Sequence, residues 1–182
     1  PVMVSNTGYT GEAGYELFIN AEAAVSLWDA LLEEGKSSSL IPCGLASRDS
    51  LRLEASYSLY GHELNEKVNP VEAGLSWVVN SESKYIGRDV LQKAKAEGTG
   101  RKIVCLEIVD KGIPREGYRV QYEGADIGHV TSGGYSPVMK KGIAFAMIKT
   151  GLVKTGSVVD IIIRDKKVGA SVVKRPFYSY HG

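Results

Sequence analysis
Two stretches of this sequence carry residues whose types and spacing could do chemistry. The first is NTGYTGEAGYELFIN, residues 6–20, in which Glu16 sits inside an alternating run that follows three glycines. A carboxylate accepts two parallel hydrogen bonds from a planar N–C–N donor pair, the edge that guanidinium groups, pterins and purines present. Gly8, Gly11 and Gly14 let backbone lie close to such a ring, and Tyr9 and Tyr15 are placed to cover its faces. The plain alternative is an exposed strand glutamate beside Phe18, and the residues alone leave both readings open. The second stretch is GLASRDSLRLEA, residues 44–55, where Asp49 falls between Leu45 and Leu53 at helical spacing. A carboxylate in a core-facing stripe costs several kcal/mol unless paired. Arg52, three residues on, is the natural partner in a structural ion pair. That leaves Arg48 to reach a ligand, an acidic one above all. Trp77 in AGLSWVVN reads as a core residue.

Other chemistries are excluded. His62, His129 and His181 share no metal-binding spacing, so no metal site is assigned. No G-x-S-x-G elbow occurs, and GYTGEAG is neither a Walker-type loop nor followed directly by a helix. The net charge of +1 argues against nucleic acid or an anionic membrane as partner. No apolar run approaches the roughly 18 residues of a membrane span, and no signal-peptide pattern opens the chain. Cys43 and Cys105, far apart, read as reduced thiols in a reducing compartment.

The elements that must position these residues follow from periodicity. YELFIN alternates, with Tyr15, Leu17 and Ile19 on one face, and predicts a strand whose apolar face meets the core. A helix follows, with Asn20 as N-cap, a stripe of Ala24, Leu27, Trp28 and Leu31, and Gly35 as its close. A second helix covers residues 44–55. Residues 57–70 have no sustained period and read as a structured loop. AGLSWVVN predicts a strand and GRDVLQKAKAEG a short helix ended by Gly98. Beyond EGTG, the best linker, six short strand-like runs follow without helices: RKIVCLEIV, YRVQYEG, DIGHVTSGG, KGIAFAMIK, GSVVDIIIR and KKVGASVV. These point to a small antiparallel barrel or sandwich. The expected fold class is therefore α+β, an antiparallel sheet with helices over residues 1–98, followed by an all-β barrel over 101–182.

In order and spacing, GYTGEAGYEL, CGLASRDSLRLEASYSLYGHEL, NPVEAGLSWVV, YIGRDVL, KGIPREGYRV, IGHVTSG, SPVMKKGIAFAMI and RPFY resemble the aminomethyltransferase (T protein) of the glycine cleavage system. The resemblance implies a tetrahydrofolate-dependent enzyme. Such an enzyme takes the aminomethyl group from the lipoylated H protein, releases ammonia and forms methylenetetrahydrofolate. It further implies that Glu16 holds the pterin ring, that Tyr9 lines the same pocket, and that Arg48 and Trp77 belong to the folate site. A tyrosine near the C-terminus also contributes; RPFYSYHG offers Tyr178 and Tyr180, of which Tyr180 is favoured. The family's enzyme is roughly twice this length, and its catalytic aspartate lies in the half that precedes these motifs. The chain, which opens on Pro1, is accordingly expected to be a fragment or one half of a split enzyme, inactive without an N-terminal half. No catalytic residue is assigned within it. The family works in the cytoplasm of prokaryotes or in the mitochondrial matrix. Two alternatives remain: a demethylase or dehydrogenase tail with the same fold, and a non-enzymatic folate-binding scaffold. The second lacks support, because no K-G-C-Y-x-G-Q-E signature occurs.

Overall fold
A computed structural model describes residues 1–80 and 82–180; His181 lies outside them. The chain begins with a two-stranded antiparallel ribbon, β1 (Met3–Ser5) and β2 (Glu16–Phe18), in which Ser5 stands opposite Glu16. Helix α1 (Ala24–Gly35) follows a 3₁₀ turn, and helix α2 (Leu45–Glu54) begins at Gly44. A long loop carrying two isolated bridges leads to a 3₁₀ turn over Ser76–Val78 and then to helix α3 (Arg88–Glu97). Six strands complete the chain: β3 (Arg101–Ile108), β4 (Arg119–Tyr122), β5 (Ala125–Ser136), β6 (Lys141–Lys149), β7 (Val158–Ile163) and β8 (Lys166–Val173). They close an antiparallel barrel in the order β3-β6-β5-β4-β7-β8. The expected α+β class with a terminal barrel is therefore the architecture of the molecule.

Alternation along the strands builds two cores. Leu106, Val120, Val130, Ala144, Ile148, Ile161 and Ala170 fill the barrel interior, each at most 1% exposed. The opposite face of β3 and β6 presents Ile103, Cys105, Ile143, Phe145 and Met147, and Leu53 of α2 packs there. This second core seats α2 on the barrel. No helix is long and apolar enough to cross a membrane. Both cysteines are free, Cys43 exposed and Cys105 buried, and burial pushes the Cys105 thiol above its ordinary pKa.

Four local expectations give way. AGLSWVVN forms no strand: Gly74 takes a left-handed φ of 76°, and Asn69 Oδ1 accepts from the amides of Val71 and Glu72, winding the segment into turns. Trp77 is consequently not core but 79% exposed. Asn20 stands at the N-cap of the 3₁₀ turn that runs into α1, not of α1 itself, and makes no side-chain cap bond. Gly35 closes α1 as expected, and a further 3₁₀ turn leads on to Ser39 at φ 58°. The strand around Glu16 is short and has no buried face: Tyr15 is 71% and Leu17 38% exposed, since the ribbon lies against no further sheet.

Candidate functional site
The site is organised by the last turn of α2. Arg52 is 2% exposed, although Leu45, two turns back on the same helix, is 83% exposed. The predicted stripe of Leu45, Asp49 and Leu53 thus faces the core only at its C-terminal end, and Asp49 lies on the open side. Asp49 still pairs as expected: Arg52 Nε donates to its Oδ1 at 2.7 Å. The rest of the guanidinium is spent inside the protein. Nη1 donates to the Tyr57 carbonyl at 3.2 Å and to Glu63 Oε2 at 3.3 Å, and Nη2 donates to Ser132 Oγ at 2.9 Å. Glu63, fully buried, also accepts from the Leu59 amide at 3.0 Å and from Thr131 Oγ1. A buried ion pair persists only when its remaining polar atoms are satisfied, and here they are. Next to it, Glu54 accepts from Ser136 Oγ and the Val138 amide, while its carbonyl accepts from the Tyr178 amide. The end of α2, the barrel and the C-terminal tail are therefore tied into one body.

On this base stand the residues singled out by the sequence. Arg48, one turn before Arg52, places its guanidinium 4.5 Å from the centre of the Tyr9 ring, a favourable cation–π distance. The Tyr9 hydroxyl donates to the Ser58 carbonyl. Burial raises the Tyr9 pKa above its ordinary value, against the lowering effect of Arg52 and Arg48. Trp77 and Tyr180 line a separate cavity of about 500 Å³, together with Tyr57, Tyr178 and Arg175. Both tail tyrosines thus reach the same space. Glu16 stands apart from these groups on the ribbon. Thr7 Oγ1 donates to its Oε2, while Oε1 has no hydrogen-bond partner among the described residues. No hydrogen bond, ion pair or ring contact joins Glu16 to Tyr9, Arg48, Trp77 or Tyr180 among them.

The glycine stretch lies against α2: a Cβ at Gly11 would come within 2.5 Å of the Ala55 Cβ. Close approach, not phosphate binding, accounts for that glycine. A larger cleft, about 610 Å³, opens on the barrel between Asp110–Ile113 and Tyr135, and it holds none of the expected residues. No cluster of ligating side chains could hold a metal ion among the described residues. His62 instead donates from Nδ1 to the Thr131 carbonyl at 2.9 Å.

Sequence reasoning passed over Tyr57 and Glu63. Tyr57 stacks 5.8 Å from Tyr9, ring centre to ring centre, yet it sits in a loop without periodicity. Glu63 gives no local signal because its partners, Arg52 and Thr131, are remote in sequence.

The geometry can be set beside known proteins. The family model of the GCVT N-terminal domain matches residues 1–83, and that of the glycine cleavage T-protein C-terminal barrel domain matches residues 101–179. An aminomethyltransferase of Geobacillus sp. (strain WCH70) is 49% identical over 178 residues, which are 97% of this chain and 49% of that protein. One from Symbiobacterium thermophilum is 45% identical, with 97% and 48% covered. The crystal structure of the glycine cleavage system aminomethyltransferase T from Bartonella henselae superposes with a TM-score of 0.89 at 31% identity, over 96% of this chain and 49% of that one. The chain spans about half the length of the curated relatives it matches. Over nearly all of its own length, in both its α+β part and its barrel, it belongs to the glycine cleavage T-protein family.

Proposed function
We propose that residues 1–98 form part of the folate-binding domain of an aminomethyltransferase of the glycine cleavage system, with residues 101–182 as its barrel domain. The observation that carries this reading is the seating of Arg48 over the Tyr9 ring. Two residues that the family resemblance assigns to one cofactor converge from separate segments, on a helix locked to the barrel. Tetrahydrofolate supplies the nitrogen that accepts the one-carbon unit. The protein's part is to bind and orient it. Glu16, with Oε1 unengaged, is suited to accept from the pterin's N–C–N edge. Tyr9, Trp77 and Tyr180 offer aromatic faces, and Arg48 offers a cation beside them. The cavity of about 500 Å³ lined by Trp77 and Tyr180 is of the size that holds small cofactors.

In this reading the lipoylated H protein is the partner that delivers the aminomethyl group. The part of the relatives that this chain does not span brings the catalytic aspartate and covers the ribbon and α1. The place of work is the cytoplasm, or the mitochondrial matrix in a eukaryotic source. Glu16→Gln keeps the shape and removes the charge, so tetrahydrofolate affinity of the complete enzyme should fall about tenfold or more. Unchanged affinity would remove Glu16 as the pterin anchor. The chain by itself, given H protein loaded with the aminomethyl group and tetrahydrofolate, should release no ammonia at an enzymatic rate. Release at such a rate defeats the assignment of the catalytic group to the unspanned part.

A further inference from the structure
We infer that Tyr57 is a binding residue for the cofactor's fused ring, the aromatic face that joins the Tyr9–Arg48 pair to the Trp77–Tyr180 cavity. The inference rests on the folate reading above and adds a residue to it. Tyr57 belongs to both groups at once: its ring lies 5.8 Å from that of Tyr9, inclined by 31°, and it also lines the cavity with Trp77 and Tyr180. Its backbone is clamped. The Tyr57 amide donates to the Arg52 carbonyl at 2.7 Å, its own carbonyl accepts from Arg52 Nη1, and Ser56 before it turns the chain at φ 62°. The ring nevertheless stays 41% exposed, and its hydroxyl makes no hydrogen bond among the described residues. A backbone fixed by a buried ion cluster and a ring left open is what a preorganised stacking surface requires. Aromatic faces bind flat heteroaromatic rings by stacking without needing the hydroxyl.

The test uses the protein with all the polypeptide it naturally carries, and 5-formyltetrahydrofolate as probe. Affinity and the absorbance of the bound pterin are measured for the parent, Tyr57→Phe, Tyr57→Leu and Tyr57→Ala. Tyr57→Ala should weaken binding about tenfold and abolish the hypochromism that stacking produces. Tyr57→Phe should keep both, and Tyr57→Leu should keep part of the affinity without the hypochromism. Because Arg52 holds the backbone of Tyr57, the variants should stay folded at the assay temperature, with Tyr57→Phe melting like the parent and Tyr57→Ala losing only the ring contact with Tyr9. Parent-like binding by Tyr57→Ala overturns the inference and leaves the folate reading standing. So does weakened binding with hypochromism intact, which would mark an indirect effect. Failure of the parent protein to bind the probe overturns the folate reading, and this inference with it.

Discussion
The barrel and the segment before it solve the burial problem in opposite ways. Strands β3 to β8 close on themselves, so no edge is left open and apolar side chains fill the interior. The ribbon and α1 close on nothing: β1 pairs only with β2, α1 has no buried residue, and its main neighbours are its own flanking turns. Val25, Trp28, Ile41 and Leu45 are 71%, 51%, 73% and 83% exposed. Large apolar side chains left this open contrast with the filled barrel, and an isolated two-stranded ribbon is marginal in water. The comparison teaches that a strand's strength comes from its neighbours, since β2 and β6 have similarly apolar sequences and very different surroundings.

Hydrogen exchange should show this contrast at its largest. Amides of β1 and β2 should exchange orders of magnitude faster than those of β3 and β6, because local opening of an unpacked ribbon costs little. Equal protection would mean that the ribbon is stabilised in a way this structure lacks. Next in size are changes at the joint between the two regions. Glu63→Gln leaves the buried Arg52 guanidinium with only the exposed Asp49 carboxylate as counter-ion, which should cost about 3 kcal/mol or more in denaturant unfolding. Within the barrel, Leu106→Ala should cost about 2–5 kcal/mol by the cavity it opens. Trp28→Ala on α1, half-exposed, should change stability by only about 0.5 kcal/mol in the same assay. A cost at Trp28 near that at Leu106 would erase the distinction between the regions.

The smallest effect is a pH dependence. The folded-state pKa of Tyr9 is raised, so its contribution to stability is complete below the unfolded value of about 10. It is lost as pH rises through the folded value. Tyr9→Phe should remove that alkaline component from a stability–pH curve. An identical curve for the variant would show that the phenol is not shielded.

What the sequence made legible follows from how local the cause is. All six barrel strands are readable because each is both alternating and punctuated by turns, and α2 and α3 carry their own periodicity. The strand expected at AGLSWVVN fails because a strand needs a neighbour, and the chain offers none there while Asn69 and Gly74 turn the backbone. The Asp49–Arg52 pair is visible as an i to i+3 spacing. Burial of Arg52 is not, because it depends on Glu63 and on Ser132 of β5. Motif order singled out the five candidate ligand residues, but only geometry set Tyr9 beside Arg48 and Tyr57 and brought Trp77, Tyr180 and Tyr57 to one cavity.

The register of β5 has a consequence for chain length. Between Val130 and Ser132 its pairing with β6 slips by one residue, so the consecutive side chains of Thr131 and Ser132 both reach the ion cluster, on Glu63 and Arg52. A regular strand would send them to opposite faces. The surplus residue is thus a matter of parity as much as of hydroxyl groups. Thr131→Ala removes one donor, whereas deleting Thr131 makes the ladder regular, keeps the later pairs with β6 in place and leaves one residue where two consecutive hydroxyls now face the cluster. The bulge and its two hydroxyls are together what this stretch has to keep.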